Sequence, residues 1–525
     1  MKTIRFLSMV VLLVVGVTIP ANAQPAESPE AAGVKPLSGD LSPWRAFGYD
    51  GIDFDQVWVI ALNNGTIAAF KRAMSPTVPG TIGGSEFLLF APDGSLLTAA
   101  PIPGSFEADG SPTPLVDYAS TGLSWGGFTL GAHADRANGN GFVVHNLGEN
   151  ARRFGLNHAD EVGDEAFSLV QLFNNDGTPI GSSINAFGAL TGESGGYRDI
   201  GAAILSNGDV VAIGENRQQS DDLLDAVGAF ATEVVIAVIL GRDGSTKVAP
   251  FVVHTDENGQ YLGQSSSAIY QNVVAFEGGF AIDYSQGIRW YNNDGTPRTP
   301  VQSDHAELAG MEVIPDVAGF TLGADSGGRG DSMAWASNGK DLLVKSINVQ
   351  SGPDSVGVLI YYKPDGTVRN FVRFDDTDIT RDVAMVDRTF CDMDENGNVF
   401  VVWQDKRFGG DRDSGHKQIF GRFFNAEGVP AGPSFPVYEN WRSEPDTVNY
   451  GGSIGVIPAG DLEQPRCAMN SQIAAVIEAT NILPDFPDAV KQLSSAFGMT
   501  LGEAVLRLFE NPFYDETLVK EWSIY

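Results

Sequence analysis

Six histidines occur in the 525 residues, and two of them, His133 and His145, flank the turn around Asn138-Gly139-Asn140. If that turn is centred on Gly139, the two rings oppose each other across a hairpin, close enough to share a metal or a substrate proton. A slip of one residue would send them to opposite faces. Arg152, Arg153 and His158 follow in the next connection, and Arg217 holds the equivalent place one unit later. A base beside a cation is what elimination at a uronic acid requires: the base removes the C5 proton while the cation neutralises the carboxylate and supports the carbanion. His133 or His145 as base, with Arg152, Arg153 or Arg217 as neutraliser, is the candidate catalytic set of a polysaccharide lyase. The same letters also read as ordinary strand histidines beside loop cations.

A second set is basic. Lys71, Arg72, Lys345, Lys406 and Arg407 fall just past the ends of apolar runs, and Arg412, His416 and His158 lie in the connections. Gathered on one rim they would hold a carboxylated or sulfated polymer, with arginine offering bidentate geometry; paired with neighbours such as Asp405, Asp411 and Glu149 they would only tie down loops. A third set is "DMDENGN", in which Asp392, Asp394, Asn396 and Asn398 alternate like the oxygen ligands of a calcium loop. The twelfth position, where a bidentate Glu belongs, is Trp403, and an Asx-stabilised hairpin explains the same residues. Cys391 and Cys467 are the only cysteines. They stand in equivalent places of adjacent units, as two buried thiols or, if the strands come close enough, as one bridge. No phosphate loop, zinc spacing or nucleophile elbow is present.

The elements that must position these residues are strands. Between turns of Gly, Asn and Asp run short β-branched and aromatic segments, with almost no helical periodicity. Two series interleave in strict order. One is a strand, an Asp-Gly turn and another strand: "FLLFAPDGSLL", "VQLFNNDGTPI", "AVILGRDGSTK", "IRWYNNDGTPR", "LIYYKPDGTVR", "FGRFFNAEGVP" and a degenerate "VLRLFENPFYD". The other is a Gly-started strand, from "GTIAAFKRAM" through "GNVFVVWQDKR" to "QIAAVIEATN". From Gly94 to Gly428 the Asp-Gly turn recurs at a mean step of about 67 residues. With a lead-in strand each unit has four strands, and seven such units predict an all-β, seven-bladed β-propeller of four-stranded antiparallel blades rather than an array of separate sandwiches. In such blades the Asp-Gly turns share one side. The long charged connections, among them Lys71 to Glu86, Lys345 to Ser355 and Asp405 to Gln418, share the other, which is the expected functional face.

"VVWQDKR...QIFGRFFNAEGVPAG" resembles the repeat of many secreted bacterial β-propellers, a Val-Val-Trp-x-Asp-x-Arg strand followed by a hairpin ending Arg-Phe-x-x-x-Gly. The sixth unit carries the match; the others keep the turn and the alternation but lack the tryptophan. The resemblance implies fold and export, and little chemistry.

Export is also read from "MKTIRFLSMVVLLVVGVTIPANA", where Lys2 and Arg5 precede an apolar run and Ala21-Asn22-Ala23 follows it. This is a signal peptide over residues 1–23, ahead of a Pro/Ala/Ser/Glu-rich linker over 24–45 and the propeller over 46–525. With 66 acidic against 33 basic residues the net charge is −33, which disfavours nucleic acid and anionic membranes. The expectation is a secreted binding module for a glycan or an extracellular protein, without membrane insertion. The lyase is its alternative, and a purely structural envelope role is compatible with the same letters.

Overall fold

A computed structural model describes residues 35–36, 44–49, 57–74, 82–101, 130–147, 168–187, 197–216, 234–262, 272–284, 287–302, 308–315, 317, 319–322, 334–351, 354–377, 386–405, 418–437, 446–450, 453–457, 462–480 and 499–514. The fold is all-β, with seven antiparallel blades and no helix among those residues. The innermost strands are Val57–Ala61, Leu130–Ala134, Tyr197–Ile204, Asn272–Phe276, Ala334–Ser337, Val386–Met393 and Leu462–Met469. Each packs against the next, and the last packs against the first, so the ring closes.

Chain termini make the closure. The last blade supplies Leu462–Met469, Ile473–Thr480 and Met499–Glu510, and its fourth strand comes from the N-terminal side: Trp44–Tyr49 and Lys35–Pro36 both pair with Met499–Glu510. Segments inside and next to the stretch read as a linker therefore form ladder hydrogen bonds and cover an edge strand. The fourth blade has three strands and completes its outer edge by a two-way exchange between Ile288 and Gln302, with both N–H···O distances 2.9 Å. A separate hairpin, Asp446–Tyr450 with Ser453–Ile457, precedes the last blade.

The core lies between blades. Seven apolar clusters each join two neighbours, for example Phe70, Phe87, Phe142 and Phe173 between blades one and two, and Trp290, Trp335 and Tyr362 between blades four and five. A middle strand touches a blade on either side, which is why Val234–Leu240 and Val399–Asp405 are buried at every residue; the first reads as an unbroken apolar run and the second does so as far as Trp403. Outer strands such as Thr246–Val252 are largely exposed. No blade can bury its own faces alone, so the ring is the folding unit.

The Asp-Gly turns have one chemistry. Asp93, Asp176, Asp243, Asp294 and Asp365 each accept the backbone N–H of the Ser or Thr two residues on, at 2.9–3.0 Å. The glycine between them takes a φ of +80° to +84°, a region that costs other residues strain.

Candidate functional site

The axis of the ring is a narrow cavity of about 70 Å³, lined by residues of all seven innermost strands. Its turn-face end is plugged by Arg136. The guanidinium donates to Asp392 Oδ2 at 2.7 Å, to the Met469 carbonyl at 2.6 Å and to Asn63 Oδ1 at 3.4 Å, while Asn63 Nδ2 returns a bond to the Arg136 carbonyl. One side chain thus ties blade two to blades one, six and seven. Nothing in the sequence marks this arginine, because its partners lie 73 to 333 residues away.

This arrangement also reassigns the calcium-like loop. Asp392 Oδ2 is engaged by Arg136 and by the Met469 N–H at 2.7 Å. Burial pushes its carboxyl up and the Arg136 charge draws it back. Asp394 turns into the hairpin: Oδ1 accepts the Asn396 and Asn398 N–H groups, and Oδ2 accepts the Asn398 and Asn511 amides. Asp392, Asp394, Asn396 and Asn398 are therefore not brought together as ligands, and the Asx hairpin accounts for their spacing. Among the described residues no three His, Cys, Asp or Glu side chains converge as a metal site needs. Cys391 and Cys467 are free, buried thiols bonded to carbonyls of different strands. Burial pushes Cys391 up to about 12 and Cys467 well above its usual value.

His133 and His145 share a face, but not as directly opposed residues. His145 pairs with Gly131 and His133 with Val143, so the hairpin centres one residue earlier than Gly139. The partner moves by two, parity is kept, and the rings stack diagonally with centroids 5.8 Å apart at 15°. Gly131 leaves the space that the His145 ring fills; a Cβ there would overlap it. Neither His145 nitrogen has a hydrogen-bond partner among the described residues. His133 borders the axial cavity, and burial with the Arg136 charge depresses it to about 4. Burial and then His133 hold His145 well below the ordinary histidine range. Both rings are neutral near pH 7, and the cavity that His133 borders is far smaller than the ~300 Å³ that small-ligand sites start from. Gly131→Ala is expected to cost about 1–3 kcal/mol, read from the denaturant midpoint, with most of the loss recovered in Gly131→Ala/His145→Ala.

The expected basic rim changes too. Lys345 is no rim cation: it sits within Leu343–Ser351, fully buried, with Nζ 3.0 Å from Asp283. The span from Lys345 to Ser355 is no long loop either, since those strands pair from Leu343↔Tyr362 to Ser351↔Asp354. Lys71 and Arg72 are ladder positions opposite Glu86 and Ser85. Arg152, Arg153, His158, Arg217, Lys406, Arg407, Arg412 and His416 lie outside the described residues.

What the structure gathers toward the loop face is Trp58, Phe390 and Arg466. The Arg466 guanidinium stacks 4.8 Å from the Trp58 ring and 4.9 Å from the Phe390 ring, and the two rings meet edge to face at 5.5 Å. Trp58 Nε1 donates to the Ala132 carbonyl of the neighbouring blade at 2.9 Å, fixing the indole. All three side chains stay partly exposed, and Trp58 and Phe390 border the cavity. Two residues from Phe390, Arg388 has φ +43°, the only non-glycine in the left-handed region among the described residues, at a bulge between Asp387 and Thr389. Strained backbone of this kind concentrates at functional positions. Farther out, between blades three and four, His254 Nδ1 lies 3.0 Å from the Tyr284 hydroxyl, with the Tyr261 ring edge-on to the imidazole. No sequence signal short of a register for the whole ring could have found either cluster.

The chain matches no protein-family model and no curated protein. Solved structures with a similar chain path include polysaccharide lyase Uly1, at 9% identity over 86% of this chain and 89% of that one, TM-score 0.40. They also include an ulvan lyase of family PL25, at 8% identity over 88% and 94%, TM-score 0.39, and the endosialidase of phage phi92, at 10% identity over 92% and 70%, TM-score 0.40. Likeness at this level carries no argument about chemistry, and the fold stands on the closed ring of strands itself.

Proposed function

We propose that the protein is an exported binding module for an anionic glycan, held at the loop-face end of the ring axis. The observation that carries this is the Trp58–Arg466–Phe390 stack. A sugar ring is recognised by an aromatic face, and a sulfate or carboxylate on it by a guanidinium; here both are fixed side by side and partly exposed. The indole is held by its bond to Ala132, so little side-chain entropy remains to be lost on binding. Isothermal titration against sulfated and carboxylated polysaccharides tests this. Trp58→Ala and Arg466→Gln are each expected to weaken binding about tenfold or more; a wild-type protein that binds none of the panel, or variants that bind as it does, overturn it.

The lyase reading has one observation in its favour, and it is not the first histidine pair. Burial and the Arg289 charge hold His254 low, and burial raises Tyr284, so a neutral imidazole faces a neutral phenol across 3.0 Å. With Nδ1 donating to the phenol oxygen, Nε2 keeps the lone pair that removes a proton. Absorbance at 235 nm that rises with a polyuronide and is abolished in His254→Ala would support it. A flat trace leaves binding as the function.

A further inference from the structure

The turn face carries a crevice that the Asp-Gly turns themselves build. It lies between the hairpin of blade two, at Asn138 and Asn140, and two turns of blade three, Ser206–Asp209 and Gly241–Asp243, with a volume of about 460 Å³. That is within the range of small-ligand sites. Arg242 and Lys247 line it.

Each acid around this crevice is engaged by its own turn through one oxygen, and Asp135 Oδ2 is buried with no hydrogen-bond partner among the described residues. Asp209 Oδ2 accepts the Asn207 amide at 2.8 Å, and Asp243 Oδ1 accepts the Ser245 N–H at 3.0 Å and its hydroxyl at 2.5 Å. Asp135, whose carboxyl feels the Arg242 charge, has Oδ1 bonded twice to Asn138 at 3.0 Å. Neither Arg242 nor Lys247 forms an ion pair among the described residues. The Lys247 stem folds over the bare Cα of Gly241, where an added Cβ would come within 2.5 Å of Lys247 Cε. That glycine lets the Lys247 stem lie over the turn beside Asp243, whose carboxyl is held low by the Ser245 hydrogen bonds and also by the Lys247 charge. In a chain of net charge −33, two cations with no ion pair among the described residues, beside exposed asparagines, are the complement of an oxyanion on a polar molecule.

We propose that this crevice is a second saccharide site, taking a sugar that bears a sulfate or carboxylate group, with Arg242 and Lys247 on the anion and Asn140 facing the hydroxyls. It is independent of the loop-face site: the plugged turn-face end of the axis, at Arg136, separates the two.

The test is calorimetric titration of the full chain with a sulfated disaccharide, and separately with inorganic sulfate, in wild type, Arg242→Ala/Lys247→Ala and Trp58→Ala/Arg466→Gln. The expected result is a disaccharide affinity that falls at least tenfold in Arg242→Ala/Lys247→Ala and persists for one site in Trp58→Ala/Arg466→Gln. A wild-type crevice indifferent to the disaccharide, or binding unchanged by Arg242→Ala/Lys247→Ala, overturns the proposal. So does inorganic sulfate binding as tightly as the disaccharide, which would leave an anion site without sugar recognition. Thermal unfolding of Arg242→Ala/Lys247→Ala, expected to stay as cooperative as in wild type, separates a structural from a binding effect.

Discussion

Lys345→Met is expected to cost the fold about 3–5 kcal/mol, the range for removing one partner of a buried ion pair. Lys345 is fully buried and Asp283 nearly so; they meet at 3.0 Å, Trp335 Nε1 donates to the same Asp283 oxygen, and the ammonium lies 5.7 Å from the Trp335 ring centre. Taking away the lysine strands a carboxylate between blades four and five, in the cluster that also holds Trp290 and Tyr362. Taking away both charges should be far milder, since an apolar pair of similar volume often replaces a buried ion pair without loss. The measurement is urea unfolding of Lys345→Met, Asp283→Leu and the double variant. Single variants within about 1 kcal/mol of wild type, or a double variant as unstable as the worse single one, would mean that the pair does not hold these blades together.

Acidification supplies the other large effect. His133 titrates near 6.5 when unfolded and about 4 when folded, and His145 is depressed further by burial and by its neighbour. A depressed base binds more protons in the unfolded chain, so its contribution to stability is complete above pH 6.5, falls as pH drops below that value, and has gone once the folded pKa is passed. At ~1.4 kcal/mol per unit, the His133 shift corresponds to on the order of 3 kcal/mol lost between pH 6.5 and 4. Asp135, Asp392 and Asp394, raised by burial, slope the other way. The turn aspartates Asp176, Asp243, Asp294 and Asp365 are held low by their Ser or Thr hydrogen bonds and add acid sensitivity only below the ordinary aspartate range. The histidine share is therefore the difference between wild type and His133→Gln/His145→Leu, measured as unfolding free energy at pH 7 and at pH 4.5. The gap between those two values should shrink in the variant, and an unchanged gap would assign the acid sensitivity elsewhere.

By itself the sequence determined the architecture. The period of the Asp-Gly turns, the alternation between them and the unbroken apolar runs are local or nearest-neighbour properties, and a propeller is a sum of such units. Even the turn chemistry is legible, because an Asx turn closes within two to four residues. The tertiary structure decided where the chemistry sits. His133 and His145 share a face because a turn centred one residue earlier changes the partner and keeps the parity. Lys345 became a buried counter-ion because its partner lies in the neighbouring blade, and Asp392 answers Arg136 from across the ring. Trp58, Phe390 and Arg466 meet only once the seventh blade closes against the first, with Trp44–Tyr49 pairing along its last strand. Contacts between residues hundreds of positions apart are set by the closure of the ring, and no spacing along the chain encodes them.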